Sequence, residues 1–155
     1  MNDGTVYIVA TGGTIASHFN GNEWISLTGA DLIGELSGLQ VAVQVTDVAS
    51  GPSSNLSVDD MVKIVAEINA AIDQGALGVV VLHGTDTLEL TAFVADLLLG
   101  SRTSVPVVFT GSMRVHSHDE PDGPLNMSQS IVLASSPEAR DRGVMVCLNG
   151  EIHSA

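Results

Sequence analysis

The sequence predicts a three-layer α/β fold in which a doubly wound, mostly parallel sheet carries helices on both faces. Three observations predict it. Short, β-branched apolar runs recur through the chain, bounded by Gly, Pro or Asp. Segments with helical spacing lie between them, so each strand hands over to a helix. The runs are nearly continuous rather than alternating, as in strands buried on both faces, and parallel strands require crossover connections of this length. This is the Rossmann or flavodoxin-like arrangement.

The first strand is read at 6–10, where Val6-Tyr7-Ile8-Val9-Ala10 runs into the turn Gly12-Gly13. Four further runs, at 41–48, 78–82, 105–109 and 144–148, give a total of five strands. Helices are expected at 31–36, 58–72, 88–99 and 125–134. The second has Met61, Ile64, Val65, Ile68 and Ile72 on one stripe, Ser57 as its N-cap, acids in its first turn and Gly75 at its end. Thr85 or Asp86 is the expected cap of the third. In sheets of this kind the ligand site lies outside the carboxyl ends of the strands, so the residues after each strand are the ones to inspect.

With 155 residues, 45% of them hydrophobic and 15% charged, the chain is long enough for one packed domain and too short for two of full size. The formal charge of −13 repels phosphate backbones and anionic lipid, which makes nucleic acid and membrane surfaces poor partners. A single cysteine, Cys147, cannot form an internal disulfide, and its apolar run reads as a buried thiol. Met1-Asn2-Asp3-Gly4 lacks a basic segment followed by a long apolar stretch, so a cytoplasmic protein is expected.

After the first strand, Thr11-Gly12-Gly13-Thr14 offers a hydroxyl beside N–H groups on a backbone free to approach a ligand closely. That combination suits a nucleophile with an oxyanion hole, and equally an ordinary strand-ending turn. The stretch matches neither Gly-rich phosphate-binding pattern, which weakens a nucleotide site. After the second strand, Ser54 and Asn55 lie in a polar loop fit to hold a small polar ligand or merely to turn. After the third, His83-Gly84-Thr85-Asp86-Thr87 places hydroxyls and a carboxylate near a helix start. There Asp86 can bind an ammonium group while Thr85 serves as nucleophile or donor, or both can simply cap. After the fourth, His116, His118, Asp119, Glu120 and Asp122 read as a solvated acidic loop rather than a metal site, pinned by Arg114 on Asp122 or another acid.

Taken in order, Ala10-Thr11-Gly12-Gly13-Thr14-Ile15-Ala16, His83-Gly84-Thr85-Asp86-Thr87-Leu88-Glu89, Thr110-Gly111-Ser112-Met113-Arg114 and Asp122-Gly123-Pro124-Leu125-Asn126 closely resemble the bacterial-type L-asparaginases. Each piece is weak alone; the ordered set is specific. The resemblance covers essentially the whole chain and only the N-terminal domain of a family about twice as long, so 1–155 is expected to be that α/β domain, with the C-terminal domain absent.

The resemblance implies hydrolysis of L-asparagine to L-aspartate and ammonia, with L-glutamine as a weaker substrate and no metal or organic cofactor. It makes Thr14 the nucleophile and Thr85 its partner in proton transfer or positioning. Asp86 would bind the substrate ammonium, and Ser54 and Asn55 its carboxylate. It also implies a homo-oligomer for the full-length form. Two departures stand out. The family's tyrosine after the first threonine motif has no counterpart in 18–27, where Trp24 is nearest, and Tyr7 lies inside the first strand. The family's lysine would follow the 147–155 segment, while the only lysine here is Lys63, on a predicted helix. Two other functions remain open: an amino-acid-binding domain without turnover, and the asparaginase-like subunit of a tRNA-dependent amidotransferase, which the −13 charge disfavours.

Overall fold

The computed structural model describes residues 4–155, apart from the side chains of Ser101 and Thr103. The reading of the first three residues lies outside this range. Five strands pair in parallel: β1 (Thr5–Ala10), β4 (Ala42–Asp47), β5 (Gly78–Leu82), β6 (Val107–Thr110) and β7 (Val144–Leu148). An antiparallel strand, β8 (Glu151–Ser154), closes one edge, and the order is β4-β1-β5-β6-β7-β8. A separate two-stranded hairpin joins β2 (Ser17–Phe19) to β3 (Trp24–Ser26).

The four expected helices are present as α1 (Gly29–Gly34), α2 (Val58–Asp73), α3 (Leu88–Leu99) and α4 (Gly123–Ala134). Strand alternation divides the core between two layers. Val80 and Leu82 of β5 face Met127 and Ile131 of α4 and Leu32 of α1, whereas Val79 and Val81 face Ile64 and Ile68 of α2 and Ala92 of α3. All five residues of β5 are buried, as its unbroken Gly-Val-Val-Val-Leu run requires of a central strand. Gly78 lacks a side chain for a reason: a Cβ there would lie 2.0 Å from the Ala134 carbonyl oxygen.

Ser57 caps α2 in a full capping box with Asp60, and Gly75 follows at φ +83. Three expectations require correction. Among the described residues eight strands form instead of five, because β2, β3 and β8 are three or four residues long and lack a buried apolar face. Neither Thr85 nor Asp86 caps α3; Thr87 takes the N-cap position without a side-chain cap bond, and Ser53 Oγ accepts the Thr87 N–H instead at 3.3 Å. The first helix begins earlier than expected, at Gly29, because Thr28 and Asp31 form a second capping box. Cys147 is buried, as its apolar run predicts.

Candidate active site

In this strand order the chain leaves β1 toward β4 on one side, while β5 lies on the other, which places the topological switch point at the carboxyl ends of β1 and β5. The loops that follow both strands meet there. Gly13 N–H donates to the Gly51 carbonyl at 2.8 Å, tying the loop after β1 to the loop after β4. A Cβ on Gly13 would lie 2.3 Å from Gly84 Cα and 2.6 Å from Gly84 N, so these two backbones cross in direct contact. A Cβ on Gly84 would in turn lie 2.6 Å from Ser53 Oγ. Three loops therefore converge on a knot of glycines, and only residues without side chains allow it.

The knot sets Thr14 and Thr85 each one residue from the crossing. Thr14 opens a 3-10 turn, Thr14–Ala16, and is half-buried, as is Thr85. Neither threonine side chain has a hydrogen-bond partner among the described residues, and the same holds for Asp86, Ser54 and Asn55. Thr85 and Asp86 line an open cleft of about 570 Å³ with Glu89, Met113, Leu148 and His153. Thr14 does not line that cleft.

Ser54 and Asn55 are exposed on the 3-10 turn Ser53–Asn55, whereas their neighbour Ser53 is buried. Ser53 is the residue the sequence did not single out: besides accepting from Thr87 N–H, its carbonyl accepts the Thr87 hydroxyl at 3.0 Å. Three adjacent polar residues give no local signal as to which one turns inward. His83, two residues before Thr85, is fully buried. Its Nδ1 lies 2.8 Å from the Gly84 carbonyl, which only accepts, so Nδ1 carries the proton. Burial holds the His83 pKa below its ordinary value, and the Gly84 contact only partly offsets this.

The loop after β6 is pinned as the sequence predicts. Asp122 accepts the N–H groups of Met113 and Arg114 at 2.9 Å each, and the Arg114 guanidinium approaches it at 3.7 Å. Burial tends to raise the Asp122 carboxyl, but these donors and the Arg114 charge outweigh it and hold the pKa below the ordinary value. Asn126 ties the loop onward, donating to the Gly111 carbonyl and accepting from Asn149 N–H at 3.0 Å each. Lys63 is exposed on α2 and pairs with Asp60 at 2.7 Å. Among the described residues no group of three or more His, Cys, Asp or Glu side chains is placed to hold a metal ion. No helix there is long and apolar enough to cross a membrane.

An α/β sheet with hydroxyl-bearing loops crossing at its switch point defines a class of small-ligand enzymes and binding domains. Residues 5–155 match the family described as "Asparaginase, N-terminal". The chain belongs to the asparaginase family. It is 35% identical over 159 residues to a glutaminase-asparaginase of Acinetobacter glutaminasificans, a match covering 97% of this chain and 47% of that one. It is also 35% identical over 159 residues to L-asparaginase 2 of Bacillus subtilis, covering 97% of this chain and 42% of the relative. Among solved structures, a probable cytoplasmic L-asparaginase from Campylobacter jejuni superposes with a TM-score of 0.88 at 31% identity, over 97% of this chain and 46% of that one. The chain thus spans less than half the length of the relatives it matches.

Proposed function

We propose that the chain carries the nucleophile side of an asparaginase site, in a protein that hydrolyses the side-chain amide of L-asparagine to L-aspartate and ammonia. L-glutamine is the weaker substrate. Residues 1–155 form the N-terminal α/β domain in this reading. One observation carries it: the contact between Gly13 and Gly84, which holds the Thr14 and Thr85 loops against each other at the rim of one sheet. The names of the Acinetobacter and Bacillus relatives support the substrate pair.

In this mechanism Thr14 Oγ adds to the amide carbon, and backbone N–H groups near the two threonines meet the oxyanion. The carbon–nitrogen bond then breaks as a proton passes to the departing nitrogen, giving ammonia. Water cleaves the resulting Thr14 ester, which releases L-aspartate and restores the hydroxyl. Thr85 assists proton transfer at that centre, Asp86 binds the substrate ammonium, and Ser54 and Asn55 hold its carboxylate. No step calls for a metal or organic cofactor. The likeness to the Campylobacter protein, a probable cytoplasmic L-asparaginase, supports a cytoplasmic location, and the family resemblance supports a homo-oligomer.

A second reading is amino-acid binding without turnover. What favours it is the open cleft, which Thr85 and Asp86 line and Thr14 does not. Ammonia release from L-asparagine separates the two. It is measured on this chain and on the chain fused to the C-terminal half of the Bacillus relative, each beside its Thr14→Ala variant. The hydrolase reading expects release by the fusion, reduced about a thousandfold or more by Thr14→Ala. Full release by the Thr14 variant overturns it, and L-aspartate binding by an inert fusion establishes the binding reading.

A further inference from the structure

The β2–β3 hairpin leaves the body directly after the Thr14–Ala16 turn, and little apolar burial holds it: Trp24 is 62% exposed and Phe19 43%. Its ties to the rest of the molecule are polar. His116 N–H donates to the Ser17 carbonyl at 2.9 Å, and Phe19 N–H donates to Ser117 Oγ at 3.0 Å. Beside them the His18 and His116 rings face each other, Nδ1 to Nδ1, at 3.1 Å. On its far side His116 Nε2 lies 2.8 Å from a carboxylate oxygen of Glu35, at the end of α1.

Simple valence fixes the protons along this row. An ionised carboxylate only accepts, so His116 Nε2 carries a hydrogen. A neutral imidazole then has a bare Nδ1, which accepts, and His18 Nδ1 must be the donor. An extra proton on His18 Nε2 leaves this row of donors and acceptors intact. A second must go to His116 Nδ1, which destroys the acceptor and sets two N–H groups of two cations head to head. Among the described residues Glu35 is the only charged group within ion-pair distance of either ring. The neighbouring charged groups are engaged elsewhere or turned away: Arg114 faces Asp122 and Glu120, His118 Nδ1 accepts from Glu120 N–H, Asp31 caps α1 with Thr28, and Asp119 and Glu23 are exposed.

We propose that Glu35, His116 and His18 form a proton-counting clasp, which holds the β2–β3 hairpin closed with up to one extra proton on the row and releases it when both rings are charged. The clasp stands on this geometry alone. Its consequence for chemistry rests on the reading of Thr14 as nucleophile: Ser17, the first residue of the hairpin, donates its hydroxyl to the Gly13 carbonyl at 3.0 Å, so release reaches the residue before Thr14. His18, His116 and Glu35 act here as positioning residues.

The test uses the 155-residue chain. Hydrogen-exchange protection of the Phe19 amide, which ties the hairpin to Ser117, is followed between about pH 8 and about pH 5, where histidine charge changes. Nitrogen NMR of the imidazoles reports the tautomers at the upper limit. The expected result is an Nδ1–H tautomer for His18 and an Nε2–H tautomer for His116. Hairpin opening should rise about tenfold on acidification, more steeply than a one-proton curve, while amide exchange in β5 stays protected. His116→Phe should abolish the pH response. Glu35→Gln alters only an exposed side chain and should change the response, because an amide can donate as well as accept and no longer fixes the hydrogen on His116 Nε2. A flat protection curve at Phe19, an unchanged curve in either variant, or an Nε2–H tautomer at His18 overturns the clasp. Turnover plays no part in the readout, so failure of the clasp and failure of the amidohydrolase reading appear in different experiments.

Discussion

Replacing Gly13 by Ala probes the crossing on which the candidate site depends. Gly13 sits at φ 88 and ψ −169, a region open almost only to glycine, and forcing alanine there costs about 1–3 kcal/mol. The new Cβ would also meet the Gly84 backbone at 2.3 Å, and backbone cannot swing aside as a flexible side chain can. Relieving such overpacking adds about 1–3 kcal/mol. The sum, about 2–6 kcal/mol, corresponds to a fall in melting temperature of about 5–20 °C for a chain of this size. Gly21→Ala is the matched control, since Gly21 also has positive φ, at 97°, but a Cβ there meets nothing within 4 Å. Thermal melts followed by circular dichroism compare the two. If Gly13→Ala melts within about 2 °C of Gly21→Ala, the steric part is absent and the loops do not cross as described.

Further outcomes follow from the same packing. Asp122→Asn should cost about 1–3 kcal/mol by urea unfolding, because one carbonyl oxygen replaces two carboxylate oxygens facing two N–H groups. The folded Asp122 pKa lies below the ordinary 3.8, so its stabilisation is full above that value and disappears as pH falls through the folded one; the Asn variant should lack this part of the acid limb. His83 is held neutral by burial, so the unfolded chain takes up a proton first and stability should decline as pH drops below about 6.5; His83→Asn, which keeps a donor toward the Gly84 carbonyl, should flatten that decline in urea midpoints. Ser57→Ala removes half of a capping box and should lower stability by about 1 kcal/mol, read as a shift in urea midpoint with unchanged slope.

The sheet was legible because its central strands are buried on both faces and so run apolar without alternation, as Val79 to Leu82 do. α2 was legible for a local reason too, since Ser57 and Asp60 stand at capping-box spacing ahead of the apolar stripe. The start of α3 was not. Thr87 takes the N-cap position and its N–H is held by Ser53, thirty-four residues earlier in the chain, so Thr85 and Asp86 read as caps although neither makes a cap bond. The β2–β3 hairpin was hidden for a similar reason: its short polar strands are ordered by His116 and Ser117, roughly a hundred residues away. Within the candidate site, the loops could be located from the strands, but whether Ser53 or its two neighbours turns inward depends on Gly84, which local sequence does not reveal.

The crossing at Gly13 and Gly84 also bears on the order in which the molecule assembles. The loops it joins are separated by about seventy residues, and the tie from Gly13 to Gly51 spans nearly forty, so neither can form until β1, β4 and β5 lie in register. Pairings of such separation carry a larger loop-closure entropy than local ones and form more slowly. The Thr14 and Thr85 loops thus meet late in folding, and a partly folded chain holds helices and strand segments without yet holding the crossing.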